Sequence, residues 1–342
     1  MALLAGLVGC SSPPKSTTAP QTPNSSPASS ASEPGTPSAN APLVVATNTV
    51  VCGLTKQIAA NTVNLKCLID AGSDPHVYEP KPEDSKAIEQ AKLIFYGGYD
   101  FEPTLIKLIR ATSNPAPKIA VHEVAVPTPQ QFEEDGKSVI DPHVWHNAQN
   151  GLRIAEVIRD NLATLEPNNA KLYADNTSKL TTEINRLDTW IKTKISTIPT
   201  SSRKLVTTHD AFGYYSKAYS IPIEGALGGI STEEAPTATR VKDLVKDVKT
   251  TNVSTIFAEI TINPKLIESV AKEAGVKVSD RELFADGLGA SGSEGETYIG
   301  MLTANTRSIV EGLGGKYTPF QPKISSRSIR LTNDAISLQP IY

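Results

Sequence analysis

The feature that most restricts this chain is one unbroken helical run set between two stretches where strand and helix patterns alternate. From 167 to 197 no glycine and no further proline interrupts the sequence, and Leu180, Ile184, Leu187, Ile191 and Ile195 recur at helical spacing, with Trp190 widening that face. Pro167 suits a first helical turn and Pro199 forces a stop. Thirty-one helical residues reach about 46 Å. Such a run is either an ordinary amphipathic surface helix or a stiff strut, and its place midway between two similar blocks favours the strut.

The flanking blocks follow one plan. In the first, apolar runs at 43–46, 63–69, 93–96 and 118–121 read as strands, with helical patterns near 53–60, 83–91 and 101–111, and a further helix over 149–165. In the second, strands are expected at 204–208, 221–225, 255–259 and 276–278, and helices near 211–219, 238–249, 264–274 and 296–313. Gly275 stands where a helix-terminating glycine belongs. Alternation of this kind implies parallel sheets covered by helices. The expected fold is therefore α/β, with two βα-sandwich lobes, parallel-rich sheets and one long rigid helix joining them. The lobes are expected at 43–166 and 199–316, the linking helix at 167–198, and an extension at 317–342, where 328–331 is a candidate final strand.

The ends carry a different message. Residues 1–10 are apolar and finish Leu7-Val8-Gly9-Cys10, which resembles the lipobox of a bacterial lipoprotein, although no basic residue precedes it and the stretch is short for a secretory signal. In that reading Cys10 carries lipid. Residues 11–42 are nearly all Ser, Pro, Thr, Ala, Asn and Gln, too polar to bury a core. As a flexible coil they reach roughly 30 Å. An exported protein tethered near a membrane by its lipid fits both segments. After the first few residues no apolar run is long enough to span a bilayer. A formal net charge of −3 offers no basic face for nucleic acid. Cys52 and Cys67 are then the remaining thiols, and export favours a disulfide between them over two buried thiols. A zinc site built on cysteines would need a second thiol pair.

Five histidines are spread along the chain: His76, His122, His143, His146 and His209. His76 lies in Asp74-Pro75-His76-Val77-Tyr78-Glu79-Pro80, and His143 in Asp141-Pro142-His143-Val144-Trp145. His209 directly follows an expected strand, and Asp286 lies in the loop Leu283-Phe284-Ala285-Asp286-Gly287-Leu288-Gly289. Open α/β sheets bind ligands beyond the carboxyl ends of their strands, so His76 and His209 would face each other across a cleft between the blocks. The repeated Asp-Pro-His is stiff, because proline fixes its own φ and holds the preceding residue extended.

These motifs, together with Thr207-Thr208-His209-Asp210-Ala211-Phe212-Gly213-Tyr214, resemble the zinc- and manganese-binding solute-binding proteins of bacterial ABC importers, the cluster A-I group. The likeness covers nearly all of 43–315, and its four motifs keep order, with 67 residues from His76 to His143, 66 to His209 and 77 to Asp286. It implies one metal ion in the cleft between two lobes joined by a long helix, with His76 and His143 as ligands from the first lobe and His209 and Asp286 from the second. It also implies an ABC permease as partner, a role in transport rather than catalysis, and a location outside the cytoplasmic membrane; the protein is expected to act as a monomer.

Three imidazoles and one carboxylate suit Zn²⁺ in tetrahedral geometry. Relatives thought to prefer manganese commonly carry Glu in place of the third histidine, so His209 tilts the expectation to zinc, with Mn²⁺ as the alternative. A zinc hydrolase would keep a position open for water and often carries His-Glu-x-x-His, which is absent here; a metal-binding surface adhesin is a third possibility. Many zinc-binding relatives have a long His- and acid-rich loop, but the stretch around 122–140 holds only His122, Glu133, Glu134 and Asp135, so that loop is expected to be vestigial or absent. His146, where many relatives carry an apolar residue, is expected to be exposed or to sit behind the ligands, and His122 to cap the end of a strand. Glu259 either orients a ligand histidine or caps a loop or helix. No Gly-Lys-Ser/Thr follows the glycine-rich stretches, which argues against a phosphate loop. Affinity is expected to fall below about pH 6.5, where free histidine protonates.

Overall fold

The computed structural model describes residues 40–134, 136–251 and 253–323. The expected lipid site at Cys10, the tether up to residue 39 and the candidate strand at 328–331 lie outside the described residues.

The first sheet is built from β1 (Leu43–Ala46), β2 (Asn64–Cys67), β3 (Leu93–Tyr96) and β4 (Lys118–Ala120), in the order β2-β1-β3-β4, all parallel. Between the strands run α1 (Thr49–Ala59), α2 (Pro82–Gln90) and α3 (Pro103–Ala111). Asn48 starts α1 by accepting the Val51 N–H, and proline opens both α2 and α3, where its missing N–H costs nothing. Successive strand residues face opposite sides. Val44, Ala46 and Phe95 therefore join the central core, while Val45 and Ile94 pack outward against Ile88, Leu105 and Ile109 of α2 and α3. A disulfide joins Cys52 of α1 to Cys67 at the end of β2. Its loop of 15 residues is worth about 3 kcal/mol on the chain-entropy account.

The stretch around 122–140, where a long His- and acid-rich loop was expected to be vestigial or absent, is short and largely regular. A short helix, α4 (Val121–Ala125), follows β4 directly, and an antiparallel hairpin of β5 (Gln131–Glu134) and β6 (Lys137–Ile140) comes next. His122 does not cap a strand. It lies in the first turn of α4, fully buried between the rings of Phe101 and Trp145. Burial, with the nearby His143, pushes its pKa down to about 3, so it is a neutral core residue.

Helix α5 (Ala148–Leu165) leads into a 3₁₀ turn at Pro167–Asn169 and then α6 (Ala170–Ile195). The long helix is thus 26 residues, about 39 Å, shorter than the 31 expected because its first three residues tighten into the 3₁₀ turn at Pro167 and its last two, Ser196 and Thr197, form a turn. Leu180, Ile184, Leu187, Ile191 and Ile195 are buried as the periodicity requires. Trp190, half-buried against the central core, widens that face; its ring packs edge-on against Tyr317 and Phe320, and its indole N–H donates to the Thr318 carbonyl. The segment 317–323 is therefore fastened along α6, with Arg186 stacked over Phe320 and donating to the Gln321 carbonyl.

After α6 come β7 (Leu205–Thr207), α7 (Gly213–Tyr219), β8 (Ile223–Ala226), α8 (Ala238–Thr251), β9 (Thr255–Ile256), α9 (Lys265–Ala274), β10 (Lys277–Val278) and α10 (Tyr298–Gly312). β7 pairs with β8 and β9 with β10, all parallel, and a bridge from Thr207 to Phe257 joins the pairs. The spatial order β8-β7-β9-β10 repeats that of the first sheet: second, first, third, fourth. Leu205 and Phe257 face the central core, and Val206 and Ile256 face an outer one formed with α8 and α9. Gly275 ends α9 at φ 76°, a left-handed conformation that favours glycine. The central core runs without a break through both halves and α6, so the two sheets are fixed against one buried body. Each sheet directs the carboxyl ends of its strands toward the same place.

Candidate metal centre

His76, His143, His209 and Asp286 converge, and a ligand atom from each lies within 4.8 Å of every other. All four are buried. The imidazole Nε2 of His143 is 3.3 Å from that of His76 and 3.4 Å from that of His209. Asp286 Oδ1 lies 3.6 Å from His76 Nε2, 3.4 Å from His143 Nε2 and 3.2 Å from His209 Nε2. A tetrahedron of ligands about 2.0–2.2 Å from its centre has edges of about 3.3–3.6 Å. The five separations therefore match the edges of one zinc-sized coordination shell.

Local chemistry aims each side chain. Both Asp-Pro-His motifs fold the same way: Asp74 Oδ1 accepts the His76 N–H at 3.0 Å, and Asp141 Oδ1 accepts the His143 N–H at 2.9 Å. An aspartate that bonds the backbone two residues on makes a compact turn without help from a sheet. Asp141 Oδ1 also takes the Nδ1 proton of His143 at 2.8 Å. Close packing of the β5–β6 hairpin keeps it there: a Cβ on Gly213 would come within 2.6 Å of Phe132 and 2.7 Å of Asp141 Oδ2.

His209 follows β7 and is aligned by Glu259, whose Oε1 accepts the N–H groups of Thr208 and His209 at 2.9 and 3.0 Å while Oε2 accepts His209 Nδ1–H. Glu259 thus does both things expected of it as alternatives: Oε1 caps the loop after β7 and Oε2 orients the histidine. In His143 and His209 alike, a carboxylate on Nδ1 leaves the Nε2 lone pair facing the cluster, the usual way a metal-binding imidazole is set.

Asp286 Oδ2 accepts from Thr261 at 2.7 Å, and Oδ1, which faces the three imidazoles, has no conventional hydrogen-bond donor. The loop that carries it is gripped by Asn305 of α10, which accepts from Phe284 N–H and donates to Phe284 C=O. His146 is not exposed: it is fully buried, stacked on Phe212 at 4.5 Å, with Nε2 donating to Ala285 C=O at 2.8 Å. Burial and the nearby His143 push its pKa down to about 3.

Charge is concentrated here. Burial lowers the pKa of His209, but Glu259 and Asp286 more than offset that and hold it well above the ordinary histidine value. His143 is likewise raised, burial being outweighed by Asp141 and Asp286. Asp286 is pushed up by burial, yet the His209 charge and the close approach of the three imidazoles hold it well below the carboxylate range. A divalent cation would satisfy the orphaned Oδ1 and replace the protons with a stronger positive centre.

The sequence had singled out all four converging residues and Glu259. It had assigned no role to Asp141 as the Nδ1 acceptor of His143, or to Thr261 and Asn305 as holders of Asp286. The repetition of Asp before Pro-His was the available signal for Asp141; Thr261 and Asn305 left none, since their roles arise from contacts 25 and 21 positions away.

The sequence profile of the family described as zinc-uptake complex component A, periplasmic (ZnuA), matches residues 44–312. The manganese ABC transporter substrate-binding lipoprotein PsaA of Streptococcus mitis is 34% identical over 277 residues, covering 79% of this chain and 88% of the relative. Among solved structures, the periplasmic zinc-binding protein TroA of Treponema pallidum superposes with a TM-score of 0.76 at 30% identity, over 80% of this chain and 99% of that one. An Mn-bound periplasmic metal-binding protein of Candidatus Liberibacter asiaticus, carrying an S38A mutation, superposes with a TM-score of 0.71 at 25% identity, over 80% of this chain and 99% of that one.

Proposed function

This chain belongs to the ZnuA family of metal-binding, substrate-binding components of ABC importers, and from that premise we propose that it captures Zn²⁺ through His76, His143, His209 and Asp286 and delivers it to a permease. The observation that carries the choice of ion is the donor set and its spacing: three imidazole nitrogens and one carboxylate oxygen, with five of their six separations at 3.2–3.6 Å and all within 4.8 Å, before any ion is added. Zn²⁺ accepts four such donors and is indifferent to angular distortion by d electrons. The relatives' names divide between manganese and zinc, which supports Mn²⁺ as a second reading. Against it stands the scarcity of oxygen ligands, since Mn²⁺ favours oxygen-rich, six-coordinate sites.

Capture requires no bond-making beyond coordination. The ion sheds water, gains the three Nε2 atoms and Oδ1, and expels the protons that the cluster holds without it. Asp141 and Glu259 keep His143 and His209 in the Nδ1–H tautomer throughout. Residues 43–166 and 199–316 act as the two lobes, with 167–198 as the linking helix. Export and attachment by lipid at Cys10 are supported by the apolar residues before that cysteine, the polar stretch 11–42 and the relative's printed description as a lipoprotein. The protein works as a monomer on its tether.

Metal analysis of the purified protein, followed by competition titration with Zn²⁺ and Mn²⁺, tests the reading. Zinc should bind more tightly than manganese, and His209→Ala should weaken zinc by at least about 100-fold, the scale expected for losing one of four ligands in a buried site. Equal or tighter manganese binding would overturn the choice of ion, and unchanged affinity in the variant would remove His209 from the ligand set.

A further inference from the structure

Side chains grip the backbone of the loop bearing Asp286 at three residues, between the backbone pairs made by Leu283 and Gly289. Asn305 grips Phe284 on one side, and Thr49 Oγ1 accepts the Leu288 N–H at 2.8 Å on the other. Between them His146 donates to the carbonyl of Ala285, the residue immediately before Asp286. This third contact joins residues 139 positions apart, and it ends on the same 3₁₀ turn, Val144–His146, that His143 caps. One short rigid piece of chain therefore carries one ligand and the tether of another.

We propose that His146 is a positioning residue that holds Asp286 to present a single carboxylate oxygen, and so sets the site's preference for a small tetrahedral cation over one that takes more oxygen donors. The inference rests on the reading of His76, His143, His209 and Asp286 as ligands. A carbonyl oxygen only accepts, so Nε2 carries the proton and Nδ1 is left as an acceptor. Among the described residues that Nδ1 is buried without a protein partner, a cost that a phenyl or leucyl side chain stacked on Phe212 would avoid. The imidazole is thus a poor choice for packing alone, and the bond to Ala285 is what it adds.

The consequence for selectivity follows from Asp286. Its Oδ2 is occupied by Thr261 at 2.7 Å and its backbone is tethered through Ala285. For both oxygens to reach one ion the carboxylate must turn and the loop must shift, which breaks the Thr261 contact and pulls the Ala285 carbonyl from His146. A tetrahedral ion is satisfied by Oδ1 as it stands, whereas an oxygen-seeking ion gains from the shift. Holding the loop disfavours the second ion more than the first.

The full chain should be titrated with Zn²⁺ and Mn²⁺ in competition, as wild type and as H146F, H146Q and F212L. H146F keeps a ring against Phe212 but has no donor, and its zinc-over-manganese ratio should fall by about tenfold or more, on the scale of lost outer-shell contacts. H146Q retains an N–H donor and F212L removes the stacking partner while leaving His146; both should keep the ratio within about threefold, below that scale. A wild-type ratio in H146F, or losses in H146Q or F212L equal to that in H146F, would show that the position needs only packing and would overturn the proposal. Should H146F fail to fold, a fall of tenfold in either of the other two variants overturns it, and retention in both supports it. The ligand reading fails separately: Asp286→Ala with unchanged zinc affinity would remove Asp286 from the site whatever the His146 variants do.

Discussion

At His209 burial and charge act in opposite directions, and charge wins. Removal from water favours the neutral ring, yet Glu259 and Asp286 keep the pKa well above the usual value, so without an ion the ring holds its proton at neutral pH. Zinc must displace that proton. Binding at pH 7 should therefore release protons, seen as a binding enthalpy that changes with the ionisation enthalpy of the buffer; an enthalpy independent of buffer would contradict this. Affinity should begin to fall above the ordinary histidine value of about 6.5 rather than below it, a revision of what free histidine chemistry suggests. For the metal-free fold the sign is opposite. A raised histidine pKa contributes stability that is complete below about pH 6.5, the unfolded value, and is lost as pH climbs through the folded one. The depressed Asp286 contributes above its unfolded value of about 3.9 and loses that contribution as pH falls through its lower folded value. The rise in Tm caused by zinc should consequently grow between pH 6 and pH 8. Glu259→Gln keeps a hydrogen-bonding shape but removes the charge, and zinc affinity should drop by about 10–100-fold, as for other partners of ligand histidines.

At the scale of elements, periodicity and punctuation placed most of the helices and strands. β3, for example, coincides with its expected range because an apolar run of four is bounded by polar and glycine residues. The hairpin β5–β6 was illegible because its strands are four residues each and mostly polar, and the one half-buried pair Phe132–Val139 is too brief an alternation to mark a strand. Trp190 widens the buried face of α6 as its spacing implies, but helical spacing does not say that a later segment will cover the outer edge of that face. That cover, 317–323, lies beyond the residues matched by the family profile. It is held by the Trp190 N–H, by Arg186, and by Glu183, which accepts the Lys323 N–H. Trp190→Ala should lower stability by about 1–2 kcal/mol, less than the 3–5 kcal/mol of a fully buried aromatic because the ring is partly exposed. Urea unfolding would measure it. A loss equal to that of a core tryptophan would mean the segment supports more than the helix surface.

For the molecule as a whole, two sheets of the same strand order stand on one continuous core and bring donors from far-separated loops to a single point. The four converging residues were readable in the sequence because each sits in a motif that resembles the family's, and for His76 and His143 the Asp-Pro-His motif is also stiff in itself. What joins them was legible only at Glu259, one of whose two expected roles is to orient a ligand histidine; Thr261 against Asp286 and His146 against Ala285 are contacts between distant segments that leave no local signal. Whether those loops were shaped for one tetrahedral ion is best measured by X-ray absorption on the zinc-loaded protein. A first shell of three nitrogens and one oxygen at about 2.0–2.2 Å is the expected result. A shell of five or six ligands dominated by oxygen, or one that is unchanged when His76, His143 and His209 are each replaced by alanine, would contradict it.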